Sequence, residues 1–167
     1  MPATPQDLFA ALEKAGIPVT TQEHAPLFTV EDSKALRGTI AGGHSKNLFL
    51  KDKDGRLFLV VAEEEARVDL KGLPARIGAK GRVSFGSADL LEEVWGVRPG
   101  AVTPFGAIND TDLRVTIILD PQLLAHGAVN FHPLVNTMTT TIQAEDLLRF
   151  LRTTGHAPLI LDPRGPG

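Results

Sequence analysis

Ser45 stands directly beside Lys46, a pairing that invites a serine–lysine dyad. In an extended segment, however, adjacent side chains point to opposite faces, so these two do not meet. The same alternation puts His44, Lys46 and Leu48 on one face, and Asn130, His132 and Leu134 on one face of a later segment. One cation and one imidazole can then share a cleft. A plain strand-edge lysine and a hydrogen-bonded histidine packed before Pro133 would leave the same pattern, so spacing by itself does not choose between chemistry and structure.

Other site types are set aside on spacing. Gly38 to Gly43 is glycine-rich but lacks the Gly-Lys-Ser/Thr ending of a triphosphate loop, and no GxGxxG opens a helix. The five histidines form no HExxH, and His126 and His132 are six apart without a third ligand nearby in a zinc pattern. Neither a metal nor a cofactor is expected. The chain has no cysteine, which removes thiolate metal sites, disulfides and a cysteine nucleophile together.

The elements that must position Lys46 and His132 follow from local pattern. Thr4-Pro5-Gln6-Asp7 carries a cap, a proline at the first helical position and an acid at the third, and predicts a helix to Gly16. Val19 to His24 alternates as a strand, and Thr29 with Asp32 opens a short helix ending before Gly38. Lys46 to Leu50, the turn Asp52 to Gly55, and Arg56 to Val61 make the clearest hairpin. Short helices are expected over Leu70 to Ile77 and Ala88 to Trp95, the latter capped by Ser87, with a strand at Val83 to Phe85 between them. Val97 to Gly106 reads as a structured loop. Strands follow at Arg114 to Leu119, Ala128 to Phe131 and Thr137 to Ile142, with a helical turn near Pro121, a last helix over Glu145 to Leu151 and an edge strand at Leu159 to Leu161. Hairpins mixed with scattered short helices predict an α+β fold in one domain spanning 1–167, with 162–167 as a frayed tail.

With 167 residues and 43% hydrophobic side chains, one well-filled core is affordable. The first residues carry no positive leader, and eighteen consecutive apolar residues occur nowhere, so a soluble cytoplasmic protein is expected. Net charge is -3, which argues against broad wrapping of nucleic acid, although residues 46–82 hold nine Lys or Arg against six acids. That local excess leaves room for contact with one end of an RNA.

Four segments in order carry a family resemblance. Ser45-Lys46-Asn47-Leu48-Phe49-Leu50 with Asp52 to Gly55 resembles the signature of the prolyl-tRNA editing (YbaK/ProX-type) deacylases. Val102 to Asp110 is similar to that family's central loop, Phe131 to Thr139 to its late motif, and Asp146 to Pro158 to its closing segment. The combination most resembles the free-standing alanyl-tRNA(Pro) deacylase branch.

The resemblance implies a mixed, largely antiparallel, barrel-like sheet flanked by short helices. It also implies hydrolysis, without a covalent protein nucleophile, of the ester in mischarged alanyl-tRNA(Pro), since an aminoacyl ester yields to a positioned water and oriented donors. Deacylation of cysteinyl-tRNA(Pro) or another small aminoacyl-tRNA, and a non-catalytic module binding tRNA or a synthetase, are the alternatives. Lys46 matches the family's central functional residue and is expected to hold the terminal adenosine and its phosphate, supported by Asn47. Gly127 to Pro133, with Asn130, would place backbone N–H groups near the carbonyl oxygen while His132 positions substrate or water. Insertion-type relatives have a GxxxP loop, whereas Gly127 here is followed by proline only at 133. Pocket walls that admit a methyl group and reject a proline ring are expected from Val30, Ser33, Phe49 and Phe105, with Thr103 and Gly106 in the central loop. The expected partners are the acceptor end of mischarged tRNA(Pro) and prolyl-tRNA synthetase, with no membrane, and the chain is expected to be a monomer.

Overall fold

In the computed structural model, residues 1–26, 31, 34–35 and 39–165 are described. Most of the short helix expected between Thr29 and Gly38 lies outside them, as do Val30 and Ser33.

Helix α1 (Pro5–Lys14) starts where capping chemistry places it. Thr4 Oγ1 accepts from the Asp7 N–H, and the Asp7 carboxylate accepts from the Thr4 N–H. Among the described residues eight strands form one mixed sheet: β1 (Thr20–Glu23), β2 (Gly43–Lys51), β3 (Leu57–Glu63), β4 (Ser84–Phe85), β5 (Val115–Leu119), β6 (Ala128–Phe131), β7 (Met138–Gln143) and β8 (Leu159–Ile160). Their order is β1-β7-β6-β2-β3-β5-β8, with β4 also on β2. The path ends at β1 and β8, so the sheet is open rather than closed into a barrel. Antiparallel pairings join β1 to β7, β6 to β7, β2 to β3 and β2 to β4, while β2–β6, β3–β5 and β5–β8 are parallel.

The hairpin turn between β2 and β3 is organised by Asp52, whose Oδ1 accepts from the Asp54 and Arg56 N–H groups and whose Oδ2 accepts from the Lys80 N–H. Burial pushes the Asp52 carboxyl up, but these donors outweigh it and leave the group below the usual carboxylate range. The helices are short: α2 (Leu73–Arg76), α3 (Ala88–Trp95), α4 (Pro121–Leu124) and α5 (Ala144–Thr153), with a 3-10 turn over Pro104–Asn109 inside the expected central loop. Ser87 caps α3 as its sequence implies, accepting from the Leu90 N–H.

Alternation in β3 divides the core. Leu57, Leu59 and Val61 face a large cluster with α1, α3, α5 and the 3-10 turn. Phe58, Val60 and Ala62 face a smaller cluster with Leu50, Ala66, Leu73 and Ile77. The expected frayed tail is corrected over 162–165, because Arg164 bonds to Glu63, Asp120 and Asp162 and its backbone bridges Val68.

Candidate active site

Pairing decides which side chains share a face. Lys46 opposes Ala62, so it lies on the side of the smaller cluster, half-buried at its end, and its ammonium donates to the Ala66 carbonyl. His44 pairs in parallel with Asn130, which puts Asn130 on that same side of the sheet. The pairing ends there; Lys46 follows His44 by two residues in β2, and His132 follows Asn130 by two, directly after β6.

His132 is held by its Nδ1, 3.0 Å from the Met138 carbonyl. Because a carbonyl only accepts, Nδ1 carries the proton and Nε2 keeps its lone pair. Burial lowers the His132 pKa below its ordinary value and the nearby His24 lowers it further, against an opposing pull from the Met138 hydrogen bond. The imidazole is therefore neutral at neutral pH. His24 is its neighbour, ring centroids 6.3 Å apart. It donates from Nδ1 to the Ala25 carbonyl at 2.8 Å and accepts at Nε2 from the Thr139 hydroxyl at 2.8 Å. Immediately after His132 the chain turns through buried Pro133 to Leu134, whose φ of 72° is in the left-handed region that a leucine rarely enters.

Several residues expected at the site serve the scaffold. Gly127 is at the turn between α4 and β6 with φ 80°, its N–H bonded to the Leu124 carbonyl and its own carbonyl to the Ala144 N–H. Five residues of extended chain, roughly 16 Å, separate it from His132, so it supplies no donor there. Asn130 is buried, and its amide donates to the Ala41 and Gly43 carbonyls while its oxygen accepts from the Thr141 hydroxyl. It pins the glycine-rich segment to β6.

Asn47 and Phe49 lie on the opposite face of β2 from Lys46, because successive strand residues alternate. Asn47 Nδ2 donates to Ser45 Oγ, and Phe49 is buried in the larger cluster. Phe105 is fully buried, with Phe131 and Phe150 edge-on against it at 5.9 and 5.6 Å. It is core, not pocket wall. Thr103, also fully buried, accepts from the Phe105 N–H through its hydroxyl and from Trp95 Nε1 through its carbonyl. Gly106 lies beneath that indole, where a Cβ would come within 2.1 Å of Nε1.

Of the expected residues, Lys46 and His132 remain as candidates, both half-buried, with Pro133 in the turn that follows His132. His24, Thr139 and Leu134 were not singled out from sequence. The alternation that ends at His24 and the β-branched run through Thr139 were the available signals, whereas nothing marks a leucine that will adopt positive φ. Among the described residues no group of three or more His, Asp or Glu is placed to hold a metal ion. No helix among them is long and apolar enough to cross a membrane.

The arrangement defines a class first by its fold. A solved structure of a proposed trans-editing enzyme for prolyl-tRNA synthetase superposes with a TM-score of 0.75 over 97% of both chains at 20% identity. Residues 24–150 match the aminoacyl-tRNA editing domain. The chain is 35% identical over 152 residues to the prolyl-tRNA editing protein ProX of Acetoanaerobium sticklandii, covering 90% of this chain and 92% of that one. It is 39% identical over 158 residues to prolyl-tRNA synthetase associated domain-containing protein 1 of Danio rerio, covering 93% and 85% respectively. This chain belongs to the aminoacyl-tRNA editing domain family, in its prolyl-tRNA editing group, and membership implies deacylase activity.

Proposed function

We propose that this protein acts in trans to hydrolyse the ester of alanyl-tRNA(Pro), with Lys46 and His132 as its working groups and no covalent protein intermediate. The observation that supports this reading is the β2–β6 register, which pairs His44, two residues before Lys46, with Asn130, two residues before His132.

The Lys46 ammonium orients the terminal adenosine and its phosphate by charge, placing the ester above the His132 ring. His132 Nε2 accepts a hydrogen bond from the attacking water or from the ribose hydroxyl, an action its lowered pKa keeps available at neutral pH. Nδ1–H bonded to Met138 fixes the tautomer that leaves Nε2 free to accept. Tetrahedral charge on the former carbonyl oxygen is met by the ammonium. Selection against proline is by size. A synthetase site discriminates one methylene by only about 1 to 3 kcal/mol, so a second, smaller site must remove what the first admits. The partners are the acceptor end of mischarged tRNA(Pro) and prolyl-tRNA synthetase.

The test is a side-by-side single-turnover assay with alanyl-, cysteinyl-, seryl- and prolyl-tRNA(Pro). Fastest hydrolysis of the alanyl ester with prolyl-tRNA(Pro) spared is the expected result. Preference for cysteinyl or seryl esters would overturn the substrate assignment, and binding without turnover of any of them would overturn the enzyme assignment.

A further inference from the structure

The match to the editing domain ends at residue 150, yet the segment after β8 reaches back to the loop that receives the Lys46 ammonium. Arg164 donates from Nη2 to Glu63 Oε1 and from Nη1 to Asp120 Oδ1 and Asp162 Oδ1, each at 3.0 Å. Its backbone bridges Val68, and the Asp69 N–H donates to the Pro163 carbonyl at 2.9 Å. Arg76 secures the strap from outside by donating to the Arg164 and Asp162 carbonyls.

Ala66, whose carbonyl accepts from Lys46, is three residues after Glu63 and two before Val68. Arg164 therefore grips this loop on both sides of the carbonyl. Asp120, fully buried, anchors the grip, and its Oδ2 also accepts from the Glu63 N–H. The guanidinium spreads these bonds over two nitrogens of a planar fork, an arrangement that the single nitrogen of a lysine ammonium does not reproduce.

We propose that Arg164 is a positioning residue for the editing reaction, holding the 63–69 loop so that the Ala66 carbonyl fixes where the Lys46 ammonium stands. This rests on the reading of Lys46 as the group that orients substrate. A displacement of about 1 Å at such a group costs up to about 100-fold in rate. Loss of the guanidinium, with the Pro163 contact retained, is expected to cost about tenfold.

The experiment uses the full chain as wild type, Arg164→Gln, Arg164→Lys and Glu63→Gln. Lysine reactivity is read by trace acetylation with acetic anhydride and peptide mass spectrometry, scoring Lys46 against exposed Lys51 and Lys53. Arg164→Gln should raise Lys46 labelling several-fold and lower single-turnover deacylation about tenfold, with Arg164→Lys between it and wild type. In a Lys46→Met background, Arg164→Gln should have no further effect on rate. Unchanged Lys46 labelling in folded Arg164→Gln, or an equal rate loss with and without Lys46, would overturn the proposal. If Arg164→Gln does not fold, Glu63→Gln removes only the loop-side partner, and unchanged labelling there overturns it equally. Altered labelling with turnover insensitive to Lys46→Met would establish the mechanical link and overturn instead the assignment of Lys46 to substrate.

Discussion

Removing the carboxylate of Asp110 separates scaffold from chemistry within the segments that carry the family resemblance. Asp110 is 2% exposed and serves three donors: the Arg114 N–H at 3.0 Å, the Val115 N–H at 2.9 Å and His156 Nε2 at 2.9 Å. His156 is itself buried, contacts Thr154 Oγ1 at 2.8 Å and stands edge-on to Trp95 with centroids 6.0 Å apart. In Asp110→Ala all three donors lose their acceptor, the Val115 N–H and His156 in a buried site and the Arg114 N–H in a part-buried one. At about 1–3 kcal/mol for each uncompensated group the upper limit is roughly 9 kcal/mol. Water entering the vacated space recovers part of that, and removing one partner of a buried pair costs about 3–5 kcal/mol. A loss of about 3–5 kcal/mol is therefore expected, large against a total stability of about 5–15 kcal/mol. Val115 pairs with Leu57 and Lys46 pairs with Ala62 on the same strand, so the two sites are five residues, roughly 17 Å, apart. Deacylation per folded molecule should stay at the wild-type rate. Urea unfolding followed by emission from Trp95, the single tryptophan, gives the stability, and single-turnover rates well below the transition give the activity. A loss under about 1 kcal/mol would refute the accounting by unsatisfied donors, and a tenfold slower folded mutant would place the Asp110–His156 pair in the reaction.

Other outcomes follow from the same geometry. The His132 pKa is held below 6.5, so the acid limb of the deacylation rate should fall below pH 6.5, and His132→Asn should remove it. The sign for stability agrees: between the folded and unfolded pKa values the unfolded chain binds more protons, so stability is present above pH 6.5 and declines as pH falls through that interval, as urea midpoints would record. Gly106→Ala forces a Cβ to within 2.1 Å of the Trp95 ring, which should cost about 1–3 kcal/mol by overpacking and shift the tryptophan emission. Phe105→Ala should lower stability by about 3–5 kcal/mol while leaving the ratio of alanyl to seryl hydrolysis unchanged, because the ring is core; a changed ratio would return it to the pocket.

Elements with strong local signals were legible. The Thr4 capping box, the Ser87 cap, the β2–β3 hairpin and the strand at Ala128–Phe131 all follow from side chains acting on their own backbone or from period-two alternation. Alternation also put Lys46 with His44 and His132 with Asn130, and parallel pairing sets His44 beside Asn130. What sequence could not supply was how long-range partners use polar and aromatic residues. Phe49 and Phe105 resemble pocket walls by type, but burial is decided by what packs over them. Asn130 has a hydrogen-bonding repertoire that suits a substrate, and the structure engages it on the Ala41 and Gly43 carbonyls. Nothing local marks Arg164 as anchored, because its three carboxylate partners are scattered from residue 63 to residue 162.

The most direct measurement is single-turnover hydrolysis of alanyl-tRNA(Pro) by Lys46→Ala, His132→Ala and the double variant, each verified as folded. Two groups working on one ester are expected to give rates far below wild type in each single variant, with the double variant little slower than the worse single one. Wild-type rates in folded Lys46→Ala, or fully multiplicative losses in the double variant, would contradict a shared site on this face of the sheet.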